Sequence, residues 1–171
     1  DEITFEEFLH RAEILHDDAQ RLDRGEHVSG PAADEYRARI ARARSFAGLT
    51  VTTTSQINNA LANPDLQIHH GALVTCVFRR ATAACLQPID NSAEPAWSRC
   101  RPSCVNAART DRDAANLRQH VTALQQDLDT PGLPEPLRHR VQDRLIEHQK
   151  ALIDHESGRP SRIPRQEIDS E

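Results

Sequence analysis

The segment CVFRRATAACLQPIDNSAEPAWSRCRPSC, residues 76–104, contains all four cysteines of the 171-residue chain. Four thiolates match the tetrahedral coordination of a structural zinc ion. Prolines make residues 86–103 a predicted loop with few large apolar side chains, so a metal would supply order that a core cannot. The segment therefore predicts a metal-binding knuckle, and the spacing of its zinc ligands is Cys76-x8-Cys85-x14-Cys100-x3-Cys104.

This spacing leaves other states of the cysteines open. It differs from the paired CxxC pattern of common zinc modules, and an iron–sulfur cluster also takes four thiolates. Two disulfides, or free buried thiols, are further alternatives. We favour zinc because clustered cysteines in a chain without secretory features usually bind metal. His69 and His70 lie close before Cys76 and could replace a ligand, but a polar pair at a loop or strand edge is the preferred interpretation.

The N-terminal part of the chain predicts helices. Apolar residues at helical spacing indicate one helix over residues 4–24 and another over 31–47, with glycines at their ends. A shorter helix, with its cap among residues 52–55, is predicted over about 55–63. Residues 66–78 are β-prone, so a short hairpin or an irregular knuckle is expected there.

The last third of the sequence predicts two helices that pair as an antiparallel hairpin. Thr110 followed by Asp113 indicates a helix start, and Pro131-Gly132 separates two apolar seams of matching period. We expect His148 to be a hydrogen-bonded histidine of this interface. The seams consist of Leu117, Val121, Leu124 and Leu128 in one helix and Leu137, Val141, Leu145, His148 and Leu152 in the other.

These patterns together predict a mainly α fold with little or no β structure. It would consist of N-terminal helices, a small cysteine-rich metal knuckle and a coiled-coil-like C-terminal helical hairpin. The predicted regions are a helical part at 1–64, the four-cysteine metal-binding knuckle at 65–105, the hairpin at 106–156 and a disordered tail at 157–171.

Composition narrows the class of protein. No apolar run approaches the roughly 20 residues that a membrane span needs, and no signal segment opens the chain. We therefore expect a soluble, cytoplasmic protein without a membrane partner. The absence of methionine suggests a fragment or a processed chain. The net charge of −5 argues against nonspecific nucleic-acid binding by the whole surface.

The sequence predicts that the chain is not an enzyme. It offers no recognisable combination of nucleophile, base and pocket, and its six glycines form no phosphate-binding loop. A closed four-thiolate zinc has no open position for water. The paired acids Glu6-Glu7, Asp17-Asp18 and Asp34-Glu35 are interpreted as solvated helix faces.

Arginines supply a candidate DNA-binding surface. They follow the first cysteine, flank the third and repeat along the second predicted helix, where guanidinium groups could bind phosphate. The alternative is that they pair with the many nearby acids. The candidate DNA-binding residues are Arg37, Arg42, Arg44, Arg79, Arg80, Arg99 and Arg101.

Several stretches of the chain resemble a known family. Residues 61–71, 75–78 and 83–85, followed by CRPSCVNAARTD at 100–111, are similar to the C-terminal region of integrase-like, tyrosine-recombinase-associated proteins of actinobacterial mobile elements. The resemblance spans about residues 25–156, and its specific part is the cysteine frame with the Asn-Ala-Ala-Arg-Thr-Asp run. It implies a role beside DNA integration and recombination in a bacterial cytoplasm.

The resemblance implies no catalytic residue in this chain. A tyrosine recombinase needs a His-x-x-Arg and a tyrosine nucleophile, but no His-x-x-Arg occurs here and Tyr36 is the single tyrosine. We therefore expect a zinc-stabilised accessory module that contacts duplex DNA or recombinase subunits, with possible homo-oligomerisation through the hairpin. An iron–sulfur or thiol redox-sensing module is the alternative.

Overall fold

The structure, a computed structural model, describes residues 2–44 and 53–159. These residues form five α-helices and four short strands. The helices are α1 (Glu2–Asp23), α2 (Ala33–Ala43), α3 (Thr54–Leu61), α4 (Asp111–Leu128) and α5 (Glu135–Ser157). The strands are β1 (Val28–Ser29), β2 (Ile68–His70), β3 (Thr75–Val77) and β4 (Ala107–Thr110). Their order along the chain is α1-β1-α2-α3-β2-β3-β4-α4-α5.

The strands form one antiparallel sheet in the order β1-β4-β3-β2. β4 is central: Ser29 of β1 pairs with Arg109 on one side, and Cys76 of β3 pairs with Ala107 on the other. The sheet thus joins strands from the predicted N-terminal, knuckle and hairpin regions. β2 and β3 form the hairpin that was expected within residues 66–78.

The predicted mainly α fold with little or no β structure is wrong, because the chain is a mixed α/β protein with a four-stranded sheet. The prediction of a metal knuckle with little or no β structure is corrected in the same way, because the strands β3 and β4 border the cysteine segment. Among residues 2–44 and 53–159, no group of three or more His, Cys, Asp or Glu side chains is arranged so that it could hold a metal ion as it stands.

The main core lies between the sheet and the first two helices. Leu15 and Ala19 of α1, and Tyr36 and Ile40 of α2, are buried against the strands. Arg39 of α2 is 2% exposed and donates to the carbonyl oxygens of Gln67 and Phe78, at the ends of the β2–β3 hairpin. The remaining core residues of this cluster are Val28, Ala32, Ala33, Ala43, Leu66, Ile68, Val77 and Ala108.

The three predicted helices of the N-terminal part are present: α1 starts two residues before the predicted 4–24 range and ends one residue before its end, and α2 and α3 are shorter than predicted. α2 covers only the first part of the predicted 31–47 range, and the rest of that prediction falls partly on residues outside those described. α3 starts at a capping box, in which Thr53 and Gln56 satisfy each other's backbone N–H groups. Gly30 adopts φ +95°, and a Cβ there would lie 2.9 Å from the carbonyl oxygen of Ala107. Glycine therefore allows the chain leaving β1 to pass close to β4.

The two C-terminal helices have the predicted start and most of the predicted seam, from which Leu137 departs because it is 45% exposed. Thr110 and Asp113 form the capping box of α4, and Val121, Leu124 and Leu145 are buried between α4 and α5. Arg138 donates to the carbonyl oxygen of Leu128 near the connection, while Arg118 pairs with Glu156 at the far end, so the helices run antiparallel. Most of the predicted tail at 157–171 lies outside the described residues.

Candidate functional site

The four cysteines line one small cavity of about 10 Å³. Cys76 lies in β3, Cys85 follows a short 3-10 turn, Cys100 follows a second 3-10 turn, and Cys104 directly precedes the approach to β4. Cys76 and Cys85 are buried, Cys100 and Cys104 are half-buried, and none of them forms a disulfide. Residues far apart in the loop are thus brought to one place.

The thiols influence one another electrostatically. Burial raises the pKa of Cys76 to about 12, and the neighbouring Cys100, Cys104 and Cys85 contribute to this rise. Burial, followed by Cys85 and Cys104, also raises the pKa of Cys100. Without a cation at their centre these two thiols therefore remain protonated at neutral pH. The four cysteines share a cavity although their side chains are not arranged in a metal-ligand cluster.

Asn106 holds the backbone around the cysteine cavity. Its side-chain amide donates to the carbonyl oxygen of Arg79 at 2.9 Å, and its side-chain oxygen accepts from the hydroxyl of Thr82 at 2.7 Å. Its backbone oxygen accepts from Val77 of β3. Asn106 is 1% exposed, so these bonds fix the turn between the first two cysteines in a buried environment.

A much larger cleft of about 900 Å³ lies beside the cysteine cavity. Its walls are the turn between β2 and β3, the segment 97–103, and the facing sides of α4 and α5. Val74, Cys100 and Arg101 line both the cleft and the cysteine cavity. The cysteine segment therefore forms one wall of the cleft.

Arg109 of β4 is a buried cation at the floor of this cleft. It is 8% exposed, and within the described chain its side chain makes one hydrogen bond, from Nη2 to the carbonyl oxygen of Pro102 at 2.9 Å. No carboxylate of the described residues lies within ion-pair distance of it. Burial lowers the pKa of Arg109, against the opposing attraction of Asp113, Asp154 and Glu147. An arginine nevertheless keeps its charge in a protein, so an unpaired guanidinium lines the cleft.

Other basic and aromatic groups surround Arg109. Arg101 and Arg144 are exposed at the cleft and form no ion pair with any described residue. His148 is buried and packs edge-on against His120, with ring centroids 5.1 Å apart. Burial, followed by the charges of His120 and Arg144, lowers the pKa of His148. The expected hydrogen bond of His148 is replaced, within the described residues, by this ring contact.

A chain of buried and half-buried polar groups runs from α1 to α4 and includes His70, which lines the cleft. His70 contacts Asp18 Oδ2 through Nε2 at 2.8 Å and Thr75 Oγ1 through Nδ1 at 2.9 Å. The hydroxyl of Thr75 donates to Asp113 Oδ2 at 2.7 Å. Both ring nitrogens of His70 therefore have protein partners.

The sequence interpretation missed this chain of polar groups. Asp18 is 2% exposed, so its assignment to a solvated face is wrong, whereas its neighbour Asp17 is exposed and pairs with Arg21. A usable signal was present: Asp18 lies three residues after Leu15 and four before Leu22, on the apolar stripe of α1. The other predicted histidine, His69, contacts Gln67 and Phe78 and lines neither cavity.

Most of the candidate DNA-binding arginines are engaged within the protein. Arg37 pairs with Asp34, Arg42 with Asp65, Arg44 with Asp23 and Arg99 with Asp90. Arg80 donates to the carbonyl oxygens of Asp90 and Ser92. Among the described residues, Arg79 and Arg101 form no ion pair. Arg101 is the one candidate that lies at the large cleft.

The comparisons identify no relative: the chain matches no family model, no curated protein and no solved structure. Within the described residues, no helix is both long enough and apolar enough to span a membrane. The fold and the site therefore define a mixed α/β module with a cysteine cavity beside an arginine-lined cleft.

Proposed function

We propose that the chain is a non-catalytic module stabilised by one zinc ion on Cys76, Cys85, Cys100 and Cys104. The observation that carries this proposal is that all four cysteines of the chain line one cavity of about 10 Å³. A cavity of roughly 10–15 Å³ holds a single water-sized sphere. The donor set fits because four thiolates complete a structural zinc shell, and a change of χ1 rotamer redirects a thiol without moving the backbone.

Zinc would stabilise a part of the chain that lacks apolar packing. Residues 79–105 contain no α-helix or strand. Of their large apolar side chains, Ile89, Trp97 and Val105 are at least 42% exposed, and Leu86 is half-buried. A metal held by β3 and by the segment before β4 would close this loop, and its binding energy would be folding energy. Zinc supplies no catalysis in such a closed site.

The resemblance of residues 100–111 supports a role in DNA integration. We propose that the module accompanies a mobile-element recombinase in a bacterial cytoplasm and contacts DNA or a recombinase subunit. The support from the fold is the positive charge of Arg101, Arg109 and Arg144 beside the cysteine cavity, which no ion pair with a described residue compensates. Fixing the cysteine segment would also fix the wall of the cleft that carries Arg101.

Metal analysis tests the zinc site. Protein purified anaerobically without added metal should contain close to one zinc per chain by mass spectrometry. Cys85→Ser and Cys104→Ser should lose the zinc, whereas Ser103→Ala, in the same loop, should keep it. Iron with labile sulfide would replace this proposal by the redox-sensing alternative, and metal-free protein would overturn both.

A mobility-shift titration with duplex DNA tests the DNA contact. Binding should weaken as salt increases, because phosphate contacts release counterions. Absence of binding at low salt would remove duplex DNA from the proposal and leave the recombinase subunit as the partner. A pull-down with the recombinase catalytic domain then decides that second contact.

A further inference from the structure

We infer that the cleft around Arg109 binds a nucleotide unit, with its phosphate on the arginines and its base beside Trp97. This inference uses the cleft residues and does not depend on which metal the cysteines hold. The nucleotide is either a free mononucleotide or an unpaired nucleotide of a DNA strand. Both sources present the same chemistry, a phosphate ester next to a flat aromatic base.

The charge of the cleft points to an anion. Arg109 is more than nine-tenths buried and has no ion-pair partner among the described residues. A buried charge without a partner is costly, so its retention indicates a ligand that supplies the missing negative charge. Arg101 and Arg144 line the same cleft, and Glu147 is the one carboxylate among its lining residues. Three guanidinium groups face one carboxylate there, although the whole chain carries a net charge of −5.

The number of positive groups favours phosphate over a single carboxylate. A guanidinium fork binds either a carboxylate or a phosphate bidentately, so the preference comes from the presence of three arginines and one carboxylate among the lining residues. Arg109 lines the cleft and uses Nη2 for the carbonyl oxygen of Pro102, a bond that restricts the orientation of its guanidinium group. Arginines from β4, from the 97–103 segment and from α5 line the same cleft. A phosphate monoester carries about two negative charges, so it matches this surplus of positive charge better than a carboxylate does.

Trp97 supplies a surface for the base. It is 42% exposed, it lines the cleft, and its ring rests against Gly71 in the turn between β2 and β3. An exposed ring held by packing on one side is a stacking platform, and base–aromatic stacking tolerates any base. The cleft volume of about 900 Å³ lies within the range of roughly 300–1,000 Å³ typical of small-ligand sites.

The sole tryptophan makes the test direct. Trp97 fluorescence of the full chain is titrated with dAMP, with a short single-stranded DNA and with inorganic pyrophosphate, and calorimetry repeats each titration. dAMP should bind and quench Trp97, while pyrophosphate should bind with less quenching because it lacks a base. Tighter binding of the oligonucleotide than of dAMP would identify a DNA strand as the source, and the reverse would identify a free nucleotide.

Two arginines on α5 provide matched variants. Arg144→Gln should weaken nucleotide binding about ten-fold or more, because a charge-assisted hydrogen bond to phosphate is lost. Arg140→Gln removes the same charge one turn away, outside the cleft, and should leave the affinity within about two-fold. Arg109→Lys keeps the charge but loses the fork of donors, so it should weaken nucleotide binding. Circular dichroism checks that this variant is folded. If Arg109→Lys does not fold, Arg144→Gln still tests the proposal.

Three results would overturn the inference. The first is that none of the three ligands binds. The second is an equal loss of affinity in Arg144→Gln and Arg140→Gln. The third is displacement of dAMP by a glutamate peptide at equal concentration. Equal losses would show nonspecific attraction, and displacement would show an acidic-peptide site. Zinc content is measured in the same samples, so failure of the cleft is distinguished from failure of the cysteine site.

Discussion

The ring of Trp97 covers Gly71 so closely that a Cβ built on Gly71 would lie 2.6 Å from Cζ3 of the indole. The same Cβ would lie 2.9 Å from the carbonyl oxygen of Val74, which accepts a hydrogen bond from the Gly71 N–H. The turn between β2 and β3 and the segment before Cys100 therefore fit together only because residue 71 has no side chain.

Gly71→Ala should displace Trp97 and destabilise the protein. Overpacking of this kind costs about 1–3 kcal/mol, because the indole ring and the turn must both move. Urea unfolding measures the cost, and a shift of the tryptophan emission maximum reports the displaced ring. Gly132→Ala is the control, because it lies at φ +78° with no atom within 4 Å. It should reduce stability without changing the emission maximum, and an unchanged maximum in Gly71→Ala would contradict the close contact.

Thr75→Val should be strongly destabilising although it preserves shape. The hydroxyl of Thr75 contacts both His70 and Asp113 in a site that is 0% exposed. Removing it leaves two buried polar groups each short of a partner, at a cost of about 1–3 kcal/mol per group. Chemical denaturation measures the loss. Thr75→Ser restores the hydroxyl, and it should recover most of the stability; equal losses in both variants would show that packing, not hydrogen bonding, dominates.

Protonation of Asp111 should make the protein less stable in acid. Burial raises the pKa of Asp111, but hydrogen bonds from Arg159, the His27 N–H and His155 lower it more, to about 2. The folded-state pKa is thus below the unfolded value, so the stabilisation is present above about pH 4 and is lost as the pH falls towards about 2.

The variant Asp111→Asn should remove this part of the acid dependence. The side chain is 35% exposed, so after allowing for solvent screening we expect a contribution of about 1 kcal/mol. Urea unfolding of both proteins at several pH values measures it, with Asp127→Asn on the exposed face of α4 as the control for net charge. If the free energy of unfolding depends on pH in the same way for Asp111→Asn and for the unchanged protein, Asp111 does not cause this part of the acid dependence.

The helices could be predicted from the sequence because their apolar residues repeat over many turns. Of the strands, only β2 and β3 lie in a segment whose residues are β-prone, whereas β1 and β4 are two and four residues long and show no alternating pattern. β4 is buried at every position and carries small or polar residues, so it resembles a loop before a helix. Its place in the sheet depends on pairing with Ser29, about eighty residues earlier in the chain, which local propensity cannot reveal.

The candidate site also combines residues that the sequence could predict with residues that it could not. Clustering in sequence singled out the four cysteines that share one cavity, whereas zinc itself stays a prediction. Arg109 carried no local signal, because its burial results from the position of β4 between β1 and β3. The arginines that cluster in sequence along α2 form ion pairs with nearby carboxylates in the structure, so their charge is locally compensated.

Self-association through the hairpin should depend on the outer face of α5. The seam of α4 and α5 is used within the chain, but Ile146 and Ile153, seven residues apart, remain 58% and 66% exposed on one side of α5. If the protein forms oligomers, replacing both by Gln should shift it to monomer in sedimentation experiments with little change in unfolding free energy. Val105→Gln, at an apolar residue 50% exposed elsewhere, is the control. Oligomers that survive the double substitution would place the contact on another surface.

Glu147 should limit the affinity of the cleft for anions. It is the one carboxylate among the residues lining a cleft that also carries Arg101, Arg109 and Arg144. Glu147→Gln removes a like charge from the vicinity of the phosphate, so nucleotide should bind about two- to five-fold more tightly at low salt. Trp97 fluorescence titration measures the change, and the gain should shrink as salt increases. Glu135→Gln, on the same helix but outside the cleft, should leave the affinity unchanged. Equal gains in the two variants would mean that net charge, and not the position of Glu147, controls binding.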